Sequence, residues 1–189
     1  MPSEPSDSIR KWEKLESRVV SDHRIFKIRE DRTTNPRTGS EHNMVVLECP
    51  DWVNIIALTP ERNVVFVEQY RQGSETVELE IPGGMMDPGE TDPIATALRE
   101  LREETGYTGD HARVIGQCLA NPAIMNNRVF TILVENCQCT HAVEWDAGED
   151  LVTRLIPAAE IPDLIKQGRI NHSIILAALH YYALNEAPR

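Results

Sequence analysis

The sequence predicts an α/β sandwich with a mixed central sheet between helical layers, preceded by a small antiparallel β subdomain. Three observations point there. Strand-like segments lie on both sides of one central amphipathic helix, and two further helical segments close the chain. In addition, Trp12 to Cys49 alternates as strands but has too few apolar residues to form a core of its own.

Residues 1–9 are polar, carry two prolines and are expected to be a disordered tail. Residues 10–50 are expected to form the β subdomain, with strands at Leu15 to Val20, Ile25 to Arg29 and Met44 to Leu47. Asn35-Pro36-Arg37-Thr38-Gly39 supplies turn chemistry between the last two. Residues 51–189 are expected to form the main domain. Val53 to Leu58 and Val64 to Val67 read as strands around the turn Pro60 to Asn63. Val77 to Ile81 follows, then a loop at Pro82 to Gly89 and a helix from Pro93 to Thr105. Strands near Val114 to Leu119, Val129 to Val134 and Leu151 to Ile156 come next. The final helices run near Ala158 to Lys166, stopping at Gly168, and near His172 to Leu184.

Composition narrows the function. The 189 residues are 41% hydrophobic and 26% charged, as in a globular protein, and their net charge of −11 would repel a nucleic acid. Phosphate groups on a small substrate would need local arginines or bound metal. No apolar run reaches the roughly 18 residues that span a bilayer, and the first residues have no apolar segment after their charges. A cytoplasmic protein with no membrane partner is expected. Cys137 and Cys139 form a C-x-C without a second pair nearby, so reduced thiols are expected in preference to zinc ligands.

The chemistry is concentrated between Pro82 and Tyr107. Asp92 is a good N-cap, Pro93 suits the first helical position and Gly106 suits the C-terminal stop. Ile94, Ala97, Leu98, Leu101 and Thr105 form an apolar stripe, leaving Glu100, Glu103 and Glu104 on another face. Like charges at this spacing repel, and the helix dipole disfavours anions in the last turn. Such a face is either solvated surface or a site for a hard cation, since clustered carboxylate oxygens are what Mg²⁺ or Mn²⁺ prefers. Pro82-Gly83-Gly84 precedes the helix, where paired glycines permit a sharp turn and close approach to a ligand.

This stretch resembles the signature of the Nudix hydrolases, G-x5-E-x7-R-E-U-x-E-E-x-G-U, where U is apolar. The matching residues are Gly84, Glu90, Arg99, Glu100, Leu101, Glu103, Glu104, Gly106 and Tyr107. Eight residues rather than seven separate Glu90 from Arg99. The extra one is most economically Asp92, because Pro93 keeps its usual distance to the arginine. An insertion inside the helix would rotate its faces by about 100°, whereas one before the N-cap leaves the glutamate register intact.

The resemblance implies a Nudix-type α/β/α sandwich and a Mg²⁺-dependent pyrophosphohydrolase, with Mn²⁺ able to substitute. It implies that Glu100, Glu104 and the Gly83 carbonyl bind metal, that Glu103 is a ligand or base, that Arg99 orients the glutamates, and that Glu90 braces Arg99. Glu149, in the loop Ala147 to Leu151, is the candidate general base; its alternative is a solvated carboxylate beside Asp146 and Asp150. Gln69-Tyr70-Arg71 and Glu80-Ile81-Pro82-Gly83-Gly84 are similar to elements of the branch acting on ADP-ribose and nucleotide sugars. This similarity implies that Arg71 contacts a phosphate and that Glu80 lies near the terminal sugar. In this branch the N-terminal subdomain packs across a homodimer. Phe26 falls near the place of a base-stacking aromatic, or is a core residue. In the loop from Asn121 to Arg128, Asn126 and Arg128 are candidate substrate contacts, and the amides offered there favour a nucleotide sugar over ADP-ribose. The alternatives are a nucleotide-sensing module that does not cleave, and a housecleaning hydrolase of nucleoside triphosphates.

Overall fold

In a computed structural model the described residues are 8–186. Most of the tail expected at residues 1–9 lies outside them. The chain separates into two units. One comprises the residues up to Pro50 together with Asn121–Asn127, and the other comprises Asp51–Ala120 and Arg128–Arg189.

The first unit is an antiparallel sheet of β1 (Glu13–His23), β2 (Phe26–Thr34) and β3 (Glu41–Glu48), in that order. Asn35 to Gly39 makes the expected turn, with the Asn35 carbonyl accepting from Gly39 N and Gly39 at φ 72°. The segment 121–127 is tied to β3 by Leu47 N donating to Ile124 O and by Cys49 N donating to Asn126 Oδ1. Leu15, Val19, Val20, Ile25, Met44 and Val45 stay exposed, in keeping with the shortage of core residues read from the sequence. The sheet's buried centre is ionic: Asp31 accepts from Lys14, Ser17 and Arg29.

The second unit holds two sheets. One has the order β10 (Leu151–Pro157), β5 (Asn63–Arg71), β6 (Thr76–Glu80) and is antiparallel. The other has the order β7 (Gly83–Met85), β4 (Trp52–Ala57), β9 (Arg128–Cys139), β8 (Tyr107–Leu119) and is mixed, because β4 and β9 run parallel. Side-chain alternation distributes β4 between two cores. Val53, Ile55 and Ala57 pack with Ala97 and Leu101 of α1 (Pro93–Thr105). Ile56 packs on the other side with Ile161 of α2 (Ile161–Lys166) and with Ile175, Ala178 and Leu179 of α3 (Ser173–Glu186). The result is the expected α/β/α layering.

Three local readings need correction. The loop expected at Pro82 to Gly89 contains β7, which pairs with β4 through Asn54↔Gly83, Val53↔Gly84 and Trp52↔Met85. β8 begins at Tyr107 rather than near Val114. Its polar first half lacks alternation and is distorted by register shifts and by His111 at φ 51°. The helix expected from Ala158 is a 3₁₀ turn (Ala158–Glu160) leading into α2, whose second residue, Pro162, has no N–H for the helical ladder.

Candidate active site

Helix α1 has the bounds that the sequence predicts, and its ends show why. Asp92 is extended (φ −105°) and accepts from Ile94 N at 2.9 Å, and Gly106 terminates the helix at φ 73° with its N–H on Arg102 O. Asp92, the residue that the spacing makes the extra one, therefore stands at the N-cap, outside the helix. The buried face differs from the expected stripe. Leu98 is exposed, whereas Glu104 is buried with Ala97, Leu101 and Thr105. Glu104 lies three residues beyond Leu101 and seven beyond Ala97, so helical geometry puts it on the core side despite its charge.

The Gly83–Gly84 segment receives both inner glutamates. Glu104 Oε2 accepts from Gly83 N at 3.2 Å. A Cβ on Gly84 would overlap the Glu100 carboxyl group, and one on Gly83 would overlap the Val53 carbonyl, so neither position tolerates a side chain without displacement. Ile55 N donates to Pro82 O and Met86 N to Asp51 O. By antiparallel alternation the polar groups of Gly83 then face away from β4, on the free edge of the sheet where Glu104 lies.

Charge is unevenly distributed over this face. Arg99 pairs with Glu100 Oε1 at 2.9 Å and with Glu103 Oε2 at 3.0 Å, and Arg102 holds the other Glu103 oxygen at 3.1 Å. Glu90 accepts from Asp87 N at 2.8 Å and Thr96 Oγ1 at 2.9 Å, and lies 3.7 Å from Arg99. The Asp87 N–H, then Thr96 and Arg99, hold its carboxyl below the usual range. Burial raises the Glu100 pKa, and Glu103 and Glu149 add to the rise against the pull of Arg99. Glu104 is pushed up to about 8, by burial and then by the charges of Glu100 and Glu149; the Gly83 N–H and Arg71 only partly offset this.

A divalent cation fits this donor set. Buried Glu104 has no ion pair among the described residues, half-buried Glu100 has only Arg99 on one oxygen, both rest against a glycine pair that leaves room for them, and a strand-edge carbonyl lies beside Glu104. Glu100, Glu104 and the Gly83 carbonyl are the groups that could hold it, with Glu103 adjacent but engaged by two arginines. Among the described residues no three His, Cys, Asp or Glu side chains already form a ligand group. Two carboxylates and a main-chain oxygen are consistent with that. Cys137 is buried and Cys139 exposed on β9, both as free thiols.

Glu149 is half-buried, and its charge acts on both Glu100 and Glu104. Its loop is tied to the C-terminal end of α1. Glu144 N donates to Glu103 O at 2.8 Å and Trp145 Nε1 donates to Glu104 O at 2.9 Å, while Arg102 lies 3.3 Å from Glu144. Asp146 N then donates to Glu149 Oε2 at 2.9 Å. Nothing in the sequence marks Trp145, one tryptophan in a polar loop, as a partner of a helix carbonyl.

Arg71 and Glu80 are bonded to each other. Arg71 Nε lies 3.0 Å from Glu80 Oε2, which also accepts from Nη2. His172, missed in the sequence, meets the second Glu80 oxygen at 2.6 Å through Nδ1. The second unit thus brings together Arg71, Glu80, Gly83, Arg99, Glu100, Glu103, Glu104 and Glu149. Arg128 opens β9 in the same unit, with its main-chain N–H on Asp51 and its side chain exposed. Phe26 and Asn126 belong to the first unit. There Phe26 is half-buried against the His23 ring, 5.1 Å between centroids, and Asn126 accepts from Cys49 N.

The layered fold and the glutamate-lined glycine pair define a class, and comparison with known proteins gives the same one. A NUDIX domain model matches residues 50–179, and the chain belongs to the Nudix family. It is 30% identical over 174 residues to a methanol dehydrogenase activator of Bacillus methanolicus, covering 92% of this chain and 93% of that protein. It is 29% identical over 150 residues to an ADP-ribose pyrophosphatase of Bacillus subtilis, covering 79% of this chain and 80% of that protein. A crystal structure of an ADP compounds hydrolase superposes with a TM-score of 0.82 at 22% identity, over 95% of this chain and 96% of the other.

Proposed function

We propose that the protein hydrolyses the diphosphate of ADP-ribose or a nucleotide sugar to a nucleoside monophosphate and a sugar phosphate, with Mg²⁺ as the physiological ion and Mn²⁺ able to replace it. The observation that carries the reading is the pair of Glu104, buried without an ion pair among the described residues, and half-buried Glu100, both against Gly83–Gly84 and both with raised pKa values. Carboxylates held this way bind a divalent cation and lose their mutual repulsion in doing so. When bound, such an ion neutralises the diphosphate and makes water a better nucleophile at neutral pH. Relatives named for ADP-ribose and ADP-sugar pyrophosphatase activity support the substrate class.

In this reading Glu100, Glu104 and the Gly83 carbonyl bind metal, and Glu103 lies beside them as ligand or base. Arg99 orients the glutamates and Glu90 braces it. Glu149 takes the proton from the attacking water. Arg71 binds a phosphate and Glu80 lies by the terminal sugar, with Phe26, Asn126 and Arg128 as further substrate contacts. We also place the protein in the cytoplasm as a homodimer, joined through β1 to β3 of each copy, without nucleic-acid or membrane partners. Support comes from the exposed Leu15, Val19, Val20, Met44 and Val45 of that sheet, from the net charge of −11, and from the lack, among described residues, of a helix long and apolar enough to cross a membrane. A monomer at micromolar concentration would overturn the dimer.

The test is product release by pure protein from ADP-ribose, several nucleotide sugars, dinucleoside polyphosphates and nucleoside triphosphates, with and without Mg²⁺ or Mn²⁺. The expected result is metal-dependent cleavage of ADP-ribose or a nucleotide sugar to a monophosphate. No cleavage of any of them with metal present would remove the enzyme reading, and a preference for triphosphates would move the substrate class.

A further inference from the structure

We infer that His172 is a positioning residue for Arg71 and acts through the buried carboxylate of Glu80; this rests on the reading of Arg71 as a phosphate contact. The Glu80 side chain is 2% exposed, whereas those of Arg71 and His172 are 46% and 38% exposed. One buried anion therefore anchors two groups that reach toward solvent. Its oxygens are divided between them: Oε2 takes Arg71 through Nε and Nη2, and Oε1 takes His172 Nδ1 at 2.6 Å. An ionised carboxylate has no hydrogen to give, so Nδ1 is the donor.

His172 is itself well placed to act as a fixed post. It immediately precedes α3, and its carbonyl accepts from Leu176 N at 3.0 Å in the first turn. Ile175, Ala178 and Leu179 are buried in the core and the helix packs on β4, β8 and β9, so the imidazole inherits the rigidity of the core. Arg71 has no such frame. It ends β5 next to an exposed turn, and Glu80 alone gives its guanidinium a direct ion pair among the described residues. Without the imidazole, Oε1 would be a buried acceptor with no donor. The carboxylate would then turn toward Arg71 or admit water, and the guanidinium would lose its fixed orientation. A guanidinium that must be reoriented for each substrate binds phosphate more weakly.

The experiment uses the diphosphate substrate that the panel identifies, with Mg²⁺. His172→Ala is expected to raise KM at least about fivefold with kcat held within about twofold, the pattern of lost uniform binding. Asn and Gln separate the two nitrogens, because the amide nitrogen of Asn reproduces Nδ1 and that of Gln reproduces Nε2. H172N is therefore expected to restore KM to near wild type, and H172Q to behave like H172A. In an Arg71→Ala background H172A should add no further effect. An unchanged KM in H172A, rescue by Gln rather than Asn, or a full effect without Arg71 would each overturn the inference. Should H172A fail to fold, the Asn and Gln pair decides alone. Wild-type protein that cleaves no diphosphate compound sinks the enzyme reading and this role together, whereas active wild type with an unresponsive KM sinks only the role of His172.

Discussion

Glu80 and Glu104 are buried to a similar degree, 1% and 6% exposed, yet their acidities are driven in opposite directions. Burial raises both. At Glu80 the hydrogen bonds of His172 and Arg71 outweigh it and leave the pKa lowered. At Glu104 nearby carboxylates add to burial, and the pKa rises to about 8. The chain gives one carboxylate an arginine and an imidazole donor and the other no ion pair among the described residues, placing Arg99 and Arg102 on Glu103 and Arg99 also on Glu100. A buried carboxyl with so few partners is costly to ionise, and a divalent cation is the kind of group that would offset that cost.

The largest effect that could break this comparison belongs to Glu104. Glu104→Gln is expected to lower metal-dependent hydrolysis by about a thousandfold or more, about 4 kcal/mol of lost transition-state stabilisation. It should simultaneously make the metal-free protein more stable at alkaline pH. A folded pKa raised above the ordinary 4.5 means that the stability contributed by the protonated form is complete below 4.5 and is lost as pH rises through about 8. Glu80 has the opposite sign: its contribution is present above 4.5 and lost as pH falls through its lowered value. Melting temperatures of metal-free wild type and E104Q at pH 5 and pH 8 check this. The gap should open in favour of E104Q at pH 8 and close when Mg²⁺ is added. Equal melting curves throughout would mean that Glu104 is no more strained than Glu80.

The next effect concerns Glu149, whose charge reaches both Glu100 and Glu104 without ligating from the same helix. Glu149→Gln is expected to lower kcat at least about tenfold with little change in KM, as loss of a general base does. Single-substrate kinetics at saturating Mg²⁺ distinguish this from a metal ligand, whose loss would be recovered in part by more metal. Wild-type turnover would remove Glu149 from the mechanism.

The two glutamates also differ in how far the sequence exposes them. The bounds of α1 could be read residue by residue, because Asp92, Pro93 and Gly106 act locally and the structure shows each in its expected place. The burial of Glu104 could not, since a stripe drawn from apolar residues assigns Leu98 to the core and leaves out a carboxylate that geometry places there. β7 was hidden for a different reason: Gly83-Gly84-Met85 has no strand pattern and is made a strand only by pairing with β4. The Glu80–His172 contact joins residues 92 positions apart, and a histidine before a helix has no local mark of its partner. The same holds for 121–127, which joins the N-terminal unit through Leu47 and Cys49, far away in the chain. Legibility thus followed the range of the interaction.

The smallest expected effect tests whether the loop that carries Glu149 is held by the same helix end that bears Glu104. Trp145 is partly exposed and donates its indole N–H to the Glu104 carbonyl, one of the α1 C-terminal acceptors left over by the helical ladder. Phenylalanine keeps most of the ring surface and removes only that donor. Trp145→Phe is expected to lower kcat by about threefold to tenfold, the worth of one net hydrogen bond expressed as misplacement of the base. The decisive measurement is the double variant. If Trp145 acts by placing Glu149, W145F should have no effect on kcat in the E149Q background. A full loss in that background would instead assign the indole to the end of α1 that bears Glu104, so that one tether would serve Glu104 and not Glu149.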